Sequence, residues 1–319
     1  MLLQQTLATE YLYIKNKTSF RHFILLGLTS DTNLKLCLFF LFLFMYILTV
    51  IENIGIITLF TTTPRLQTPM YFFLSHLSFS DLCYSSVISP KLLDILMENQ
   101  FISYSGCIMQ LFIFTIFGIL QCLILSVMAY DRSVAVSKPL FYNLIMTDNV
   151  CKRLIAVCYT IAVLFSLLNT LYTLSLSFCN AIQINHFYCD YIPLLQLACS
   201  DTFTNLMVIF ITVSSISSIS IGTIIMSYGY IIFTVFGIRS KQRRYKVFYT
   251  CSSHLTTVSI FYGTVFFMYI RPASKYFTDE DKVVAVFYTV AIPFLNPIIY
   301  SMRNKDLQSA FNKNVGKWN

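Results

Sequence analysis

The sequence predicts an all-α integral membrane protein, a bundle of seven transmembrane helices. Of its 319 residues, 56% are hydrophobic and 11% are charged, whereas a soluble domain carries about a quarter charged residues. The mean hydropathy of +0.69 points the same way. Seven apolar stretches are each long enough to cross a ~30 Å hydrocarbon core as a helix. A soluble enzyme or a nucleic-acid-binding protein is therefore disfavoured, despite the net charge of +8.

Short loops separate the seven apolar stretches. The predicted spans are Leu36–Phe60, Pro69–Leu93, Gly106–Tyr130, Leu154–Phe178, Phe203–Ile238, Val247–Ile270 and Val283–Met302. The fifth should protrude from the bilayer, because at ~1.5 Å per residue it extends roughly 50 Å. The first 33 residues contain no continuous apolar region, so we expect no cleavable signal peptide. The chain divides into an N-terminal tail (1–33), the bundle (34–302) and a C-terminal segment (303–319) with a short amphipathic eighth helix.

The distribution of basic residues predicts the orientation, because seven spans place the two termini on opposite sides. With the N-terminus outside, the cytoplasmic segments carry 14 basic and three acidic residues, and the outer segments carry eight basic and nine acidic ones. An excess of Lys and Arg on the cytoplasmic side is the rule for membrane proteins. We therefore expect an external N-terminus. The run "RSKQRRYK" (Arg239–Lys246) joins two spans, which favours a membrane-flanking loop over a nucleic-acid-binding segment.

The cysteines and one sequon indicate an outer face that matures in the secretory pathway. Disulfides persist in that compartment, and four cysteines allow three pairings that spacing does not decide. The four are Cys107, Cys179, Cys189 and Cys199. The sequon at Asn16 predicts a glycan on the outer tail. A metal site in "HFYCD" (His186–Asp190) is an alternative, disfavoured because a disulfide would occupy Cys189.

Polar residues within the spans predict a functional interior. Asn53, Asp81 and Asn296 lie in spans one, two and seven, and a charge in the membrane costs about 2.5–3.5 kcal/mol on insertion scales. Such side chains face the bundle interior, as interhelical contacts, as parts of a switch, or as both. Span seven contains "PFLNPIIY", in which each proline removes a backbone donor and can kink the helix. Span three closes on an adjacent acid and base, Asp131 and Arg132.

Several local motifs accompany these features. They are "TPMYFFLSHLSFSDLCYSS" (68–86), "MAYDRSVAVSKPLFY" (128–142), "SYGYI" (227–231), "KVFYTCSSHLTTVSIFYGT" (246–264) and "PFLNPIIYSMRN" (293–304). From about Phe20 to Phe311 the chain resembles the olfactory receptors, a family of rhodopsin-like G-protein-coupled receptors. It departs from the family where Glu52 replaces a usual glycine. It also departs at Ser133, Val136, Ser137, Val247 and Tyr249.

The resemblance implies an odorant receptor in the plasma membrane, with no cofactor and no enzymatic activity. A small, mostly apolar volatile ligand would shift helices five to seven and activate a stimulatory heterotrimeric G protein, raising cyclic AMP. The implied disulfides are Cys107–Cys189 and Cys179–Cys199. Asp131 is expected to hold Arg132 at rest. The implied switch residues are Asn53, Asp81, Asp131, Arg132, Tyr228, His254, Asn296, Pro297 and Tyr300.

The predicted ligand pocket lies in the outer half of the bundle. In spans three and five its residues follow helical spacing and form one stripe on each helix. The lining is mostly apolar with a few hydroxyls, which suits small volatile molecules. Gly118 is the most specific member, because its missing side chain leaves room. The predicted lining is Phe114, Thr115, Gly118, Ile119, Cys122, Thr212, Val213, Ile216, Tyr262, Val265, Phe266, Tyr269, Val286 and Thr289.

Other function classes fit the sequence less well. A rhodopsin-like receptor for a non-odorant small molecule is the nearest alternative. An amine ligand is disfavoured because Leu111–Cys122, "LFIFTIFGILQC", contains no acid. A transporter or channel would favour inverted repeats, broken helices and several intramembrane charges. An enzyme is disfavoured because the sequence lacks nucleophile-elbow, zinc-protease, dinucleotide-binding and P-loop motifs.

Overall fold

The described residues form a bundle of seven long helices, in agreement with the predicted fold class. The computed structural model describes residues 22–179, 182–269 and 279–302. The first six long helices are α1 (Thr32–Thr62), α2 (Pro69–Leu96), α3 (Tyr104–Ser137), α4 (Asp148–Leu174), α5 (Phe203–Gly237) and α6 (Lys241–Tyr269). The seventh, α7, runs through Asp279–Val286, a π-helical turn at Phe287–Ala291, and Ile292–Met302. Asn16 and the predicted eighth helix in 303–319 lie outside the described residues.

Shorter helical segments connect the long ones. A 3-10 turn at Pro64–Leu66 follows α1, and a single turn at Tyr142–Ile145 links α3 to α4. A seven-residue helix, Tyr191–Leu197, lies in the loop between α4 and α5. That loop is the longest predicted one, and it folds back over one end of the bundle.

Five of the described helices are long and apolar enough to cross a membrane: α1, α3, α4, α5 and the Asp281–Ser301 part of α7. The other two helices, α2 and α6, have 28 and 29 residues and are long enough to cross. They are less apolar for separate reasons. Serines such as Ser78, Ser80 and Ser85 are buried along α2, and α6 begins inside the basic run.

Several helices continue beyond the predicted apolar spans, and α3 and α6 do so at the charged segments. α3 ends at Ser137, so Asp131 and Arg132 lie inside the helix and not at its end. It stops there because Lys138 precedes Pro139, and a residue before proline is disfavoured in the helical region. α6 begins at Lys241, so most of the predicted basic loop is helical. Apolar stretches mark the hydrocarbon crossing, whereas backbone hydrogen bonding continues until a capping or breaking residue ends it.

A small sheet, which the sequence did not predict, lies at one end of the bundle. Its strands are β1 (His22–Leu25), β2 (Phe101–Ser103) and β3 (Gln183–Ile184), in the order β2-β1-β3. β1 pairs antiparallel with β2 and parallel with β3. Phe23 and Leu25 are fully buried beneath it. Strands this short carry no usable periodicity.

The central helix of the bundle is α3, which contacts α2, α4, α5 and α6. In its most apolar segment 56% of the residues are buried within the protein, compared with 11% for α1, which lies at the periphery. The buried apolar residues form one cluster near the sheet and a second nearer the opposite end. A side chain on α3 can therefore contact most of the other helices.

Candidate ligand cavity and polar switch

Two disulfides identify one end of the bundle. Cys107 at the start of α3 is joined to Cys189, and Cys179 is joined to Cys199. This is the pairing that the resemblance implies. We call this the disulfide end, and the end that carries Arg132 and the run Arg239–Lys246 the basic end.

A cavity of about 180 Å³ lies near the disulfide end. Its wall comes from α2 to α7 and from the loop between α4 and α5. Nine of the residues expected to line the pocket do so: Phe114, Thr115, Gly118, Ile119, Cys122, Thr212, Val213, Ile216 and Val265. The helical spacing used for α3 and α5 therefore identified one continuous face on each helix.

Four expected lining residues lie elsewhere. Tyr262 donates to Ser220 Oγ at 2.5 Å, and Phe266 is 45% exposed on the outside of the bundle. Val286 packs in the apolar cluster of the disulfide end, and Thr289 is fully buried with its hydroxyl on Ala285 O. The side chain of Tyr269 lies outside the described residues.

The π-helical turn explains why α7 presents a different residue to the cavity. Ile292 N donates to Phe287 O, five residues back. Pro293, which follows, has no N–H for a regular helical bond. A π turn adds a residue to the helix and rotates the side chains around it. Tyr288 therefore lines the cavity.

The sequence prediction missed most of the residues that the loop and isolated polar positions contribute to the cavity wall. Asn169 was findable as the only amide in the predicted fourth span. The loop residues carry no periodic signal, because a disulfide-held segment, His186–Asp190, and one short helix, Tyr191–Leu197, place them. The additional lining residues are Tyr84, Asn169, His186, Asp190, Tyr191, Ile192, Pro193, Ile209, Ser217, Phe261, Asp281, Lys282 and Tyr288.

The segment His186–Asp190 forms the lid of the cavity. Cys189 N donates to Gln110 Oε1 at 2.9 Å, so a hydrogen bond as well as the disulfide holds the segment against α3. Tyr188 is fully buried and its hydroxyl bonds the hydroxyl of Tyr288 and the carboxylate of Asp190. Burial lowers the pKa of His186 to about 3 and raises the pKa of Asp190. His186 is therefore a neutral base at physiological pH.

The same segment does not fit a metal ion. Cys189 is in a disulfide, which removes its thiolate as a ligand. Within 22–179, 182–269 and 279–302, no three His, Cys, Asp or Glu side chains are grouped as a metal site requires. The segment covers the cavity instead.

A polar cluster links α1, α2, α3 and α7 below the cavity. The carboxylate of Asp81 accepts from Asn296 Nδ2 at 2.9 Å and from Gln121 Nε2 at 2.8 Å. Asn53 Nδ2 donates to Thr49 O at 2.9 Å and to Pro293 O at 3.3 Å. Three predicted switch residues are thus within one region, together with Gln121, which the sequence prediction missed.

A second polar cluster links α3, α5 and α6 toward the basic end. His254 Nε2 lies 3.0 Å from Leu125 O, and Nδ1 lies 2.7 Å from the hydroxyl of Tyr228. Because a carbonyl only accepts, Nε2 carries the proton and Nδ1 accepts from Tyr228. Arg132 is 8% exposed and near enough for its charge to act on Tyr228, His254 and Tyr300. Pro297 lies in α7, one turn before Tyr300.

Asp131 forms no close ion pair with Arg132 in this structure. Its carboxylate instead accepts from the hydroxyl of Tyr142 at 2.8 Å, and the two ion pairs found among the described residues lie elsewhere. Neighbouring residues on a helix point about 100° apart. Arg132 therefore faces the bundle interior while Asp131 faces the turn at Tyr142–Ile145.

Glu52, which replaces the usual glycine of the family, has a buried carboxylate oxygen, Oε2, without a hydrogen-bond partner among the described residues. The neighbouring Asn53 contacts α7, whereas Glu52 is only partly buried. Nothing in the structure explains the carboxylate at this position.

Comparison with known proteins places the chain in one family. Residues 42–317 match the sequence model of the olfactory receptors. The chain is 46% identical to olfactory receptor 5G3 of Homo sapiens and 48% identical to olfactory receptor-like protein COR6 of Gallus gallus, over 94% of this chain and 96% of each relative. Squid rhodopsin has the same fold, with a TM-score of 0.67 over 90% of this chain and 87% of that chain at 19% identity.

These matches confirm the family that the motifs indicated. They also agree with a receptor, not an enzyme, and with a multi-pass protein of the plasma membrane. They extend over almost the whole chain, including the cavity and both polar clusters. The chain belongs to the olfactory receptor family.

Proposed function

We propose that the protein is an odorant receptor that binds a small, mostly apolar volatile molecule in the cavity and activates a stimulatory G protein. The cavity carries this proposal. Its volume is about 180 Å³, and an apolar cavity of about 150 Å³ in another protein admits benzene. A small organic molecule fits such a space.

The disulfide end faces outward in this proposal. Disulfides persist on the side exposed to the secretory lumen and the cell exterior. The basic end carries the Lys and Arg excess that marks the cytoplasmic side. A glycan on Asn16 is expected on the same side as the disulfides.

The same helices carry both the cavity wall and the switch. Gly118 and Arg132 lie on α3, Ile216 and Tyr228 on α5, and Val265 and His254 on α6. A ligand shifts the receptor only if it binds the active arrangement more tightly than the resting one. The contacts of the ligand with α3, α5 and α6 supply that difference in affinity. The resulting movement of these helices opens the basic end to the G protein.

The experiment uses cells that express the chain with an olfactory-type stimulatory G protein and an epitope at the N-terminus. A panel of volatile and non-volatile small molecules is applied, and cyclic AMP and the surface epitope are measured. We expect a volatile compound to raise cyclic AMP in intact cells that stain without permeabilisation. Responses only to non-volatile compounds, or an epitope that stains only after permeabilisation, would contradict the proposal.

A further inference from the structure

Asn169 is the residue of the cavity wall that lacks a partner for a buried polar atom. Several buried side-chain oxygens have no hydrogen-bond partner among the described residues, and of these Asn169 Oδ1 belongs to a residue that lines the cavity. Asn169 is 3% exposed. An unpaired buried acceptor is costly, so native proteins rarely retain one without a function.

The contacts of the amide determine which of its atoms is the oxygen. One amide hydrogen goes to Phe165 O at 2.8 Å and the other to Thr212 Oγ1 at 3.1 Å. A backbone carbonyl cannot donate, so the atom beside it must be the nitrogen. Both hydrogens are therefore engaged, and the oxygen has no hydrogen-bond partner among the described residues.

Thr212, which also lines the cavity, supplies the complementary group. Its hydroxyl accepts from Asn169, and no hydrogen bond that it donates is found among the described residues. Thr212 is 4% exposed. An acceptor on α4 and a donor on α5 thus lie side by side in an otherwise mainly apolar wall.

We propose that this cavity selects a small neutral alcohol or phenol, whose hydroxyl donates to Asn169 Oδ1 and accepts from Thr212 Oγ1. A hydroxyl carries one donor and two acceptor positions, so it can satisfy both groups at once. A ketone, aldehyde or ether of similar size only accepts, and it leaves Asn169 Oδ1 unpaired. A site built to bond a hydroxyl rejects analogues that lack one more strongly than it distinguishes apolar groups. This inference rests on the proposed function.

The test measures binding without a G protein, as thermal stabilisation of the purified receptor. The probes are two matched sets: cyclohexanol, cyclohexanone and methoxycyclohexane, and benzyl alcohol, benzaldehyde and benzyl methyl ether. We expect at least one alcohol to bind about tenfold more tightly than both of its partners. Equal binding within both sets, as a water molecule bound to Asn169 would give, overturns the proposal. So does the failure of both alcohols to bind.

Four variants separate recognition from loss of structure. Thr212→Val and Asn169→Leu should reduce the alcohol preference to nearly one, whereas Thr212→Ser keeps the hydroxyl and the preference. Ser166→Ala is the matched control, because it removes a buried bond from α4 to Phe112 O at a residue outside the cavity wall. An alcohol preference that survives both Thr212→Val and Asn169→Leu would overturn the proposal.

Cyclic AMP distinguishes this inference from the proposed function. Alcohol-selective binding with no cyclic AMP rise would refute G-protein coupling and leave the hydroxyl site intact. A cyclic AMP response to the carbonyl and ether probes equal to that for the alcohols would support the receptor function and refute the hydroxyl site.

Discussion

Arg132 is a buried charge whose immediate neighbours are mostly neutral. It lies inside the bundle near Tyr228, His254 and Tyr300, and its Nε has no hydrogen-bond partner among the described residues. A buried charge without a full set of partners is costly, so movement of α5 and α6 that exposes it releases that cost. The position of Arg132 therefore suits a side chain that becomes accessible to the G protein when the helices separate.

Two substitutions test that role. Arg132→Ala should keep native surface expression and ligand binding but lose at least about 90% of the cyclic AMP response. Tyr142→Phe and Asp131→Asn should both raise basal cyclic AMP, because each weakens the 2.8 Å bond that connects α3 to the following turn. Ser133→Ala is a control on the same helix, since that hydroxyl bonds only its own helix at Tyr130 O. Normal signalling by surface-expressed Arg132→Ala would leave only an anchoring role.

Glu52 provides a second prediction, on surface expression. An unpaired buried carboxylate oxygen in a membrane helix opposes folding and insertion. Surface staining of Glu52→Gly should therefore equal or exceed that of the native chain, and Glu52→Gln should behave similarly. A clear fall in both variants would show that the carboxylate makes a necessary contact.

The long helices were predictable from the sequence, whereas the short helices and strands were not. About 20 apolar residues in sequence are sufficient to indicate each crossing. The ends of α3 and α6 depend on where backbone bonding stops, and β1 depends on pairing with two distant segments. The π turn in α7 is a local departure from 3.6 residues per turn, so periodicity placed Val286 and Thr289 in the cavity wall instead of Tyr288.

The lid segment carries a pH prediction through His186. Its folded pKa of about 3 lies below the ordinary value of 6.5, so the folded state binds fewer protons than the unfolded state below that value. Stability is full above about pH 6.5 and falls as the pH drops toward 3. At pH 5 the loss is on the order of 2 kcal/mol. Asp281 and Lys282 face the same group and also act on its pKa.

Thermal unfolding of the purified receptor at pH 7.5 and pH 5 measures this effect. The native midpoint should fall more than that of His186→Gln, which cannot gain the proton. The difference between the two proteins isolates His186 from Asp190, whose raised pKa acts in the opposite direction. Equal shifts in the two proteins would show that His186 is not buried as a neutral base.

At the scale of the whole molecule, the sequence indicated the class and much of the site. Polar residues are rare enough in the spans that Asn53, Asp81 and Asn296 were evident, and the structure joins all three to the region around α7. The contacts of Asp131 and the lid could not be predicted, because they depend on side-chain direction and on a loop held by a disulfide. Asn169 became informative only when both of its amide hydrogens were located.

If the cavity at the disulfide end receives the ligand and controls the basic end, a large side chain in place of Gly118 should block signalling. A Cβ atom there would lie 3.7 Å from the Tyr84 ring, an ordinary contact, whereas the larger Leu side chain would extend into the cavity. Cyclic AMP dose–response curves are measured for the native, Gly118→Ala and Gly118→Leu receptors at matched surface levels, across all active odorants. We expect a response from the native and Gly118→Ala receptors and a loss of at least about a hundredfold in sensitivity for Gly118→Leu. An unchanged response of Gly118→Leu to every active odorant would contradict it.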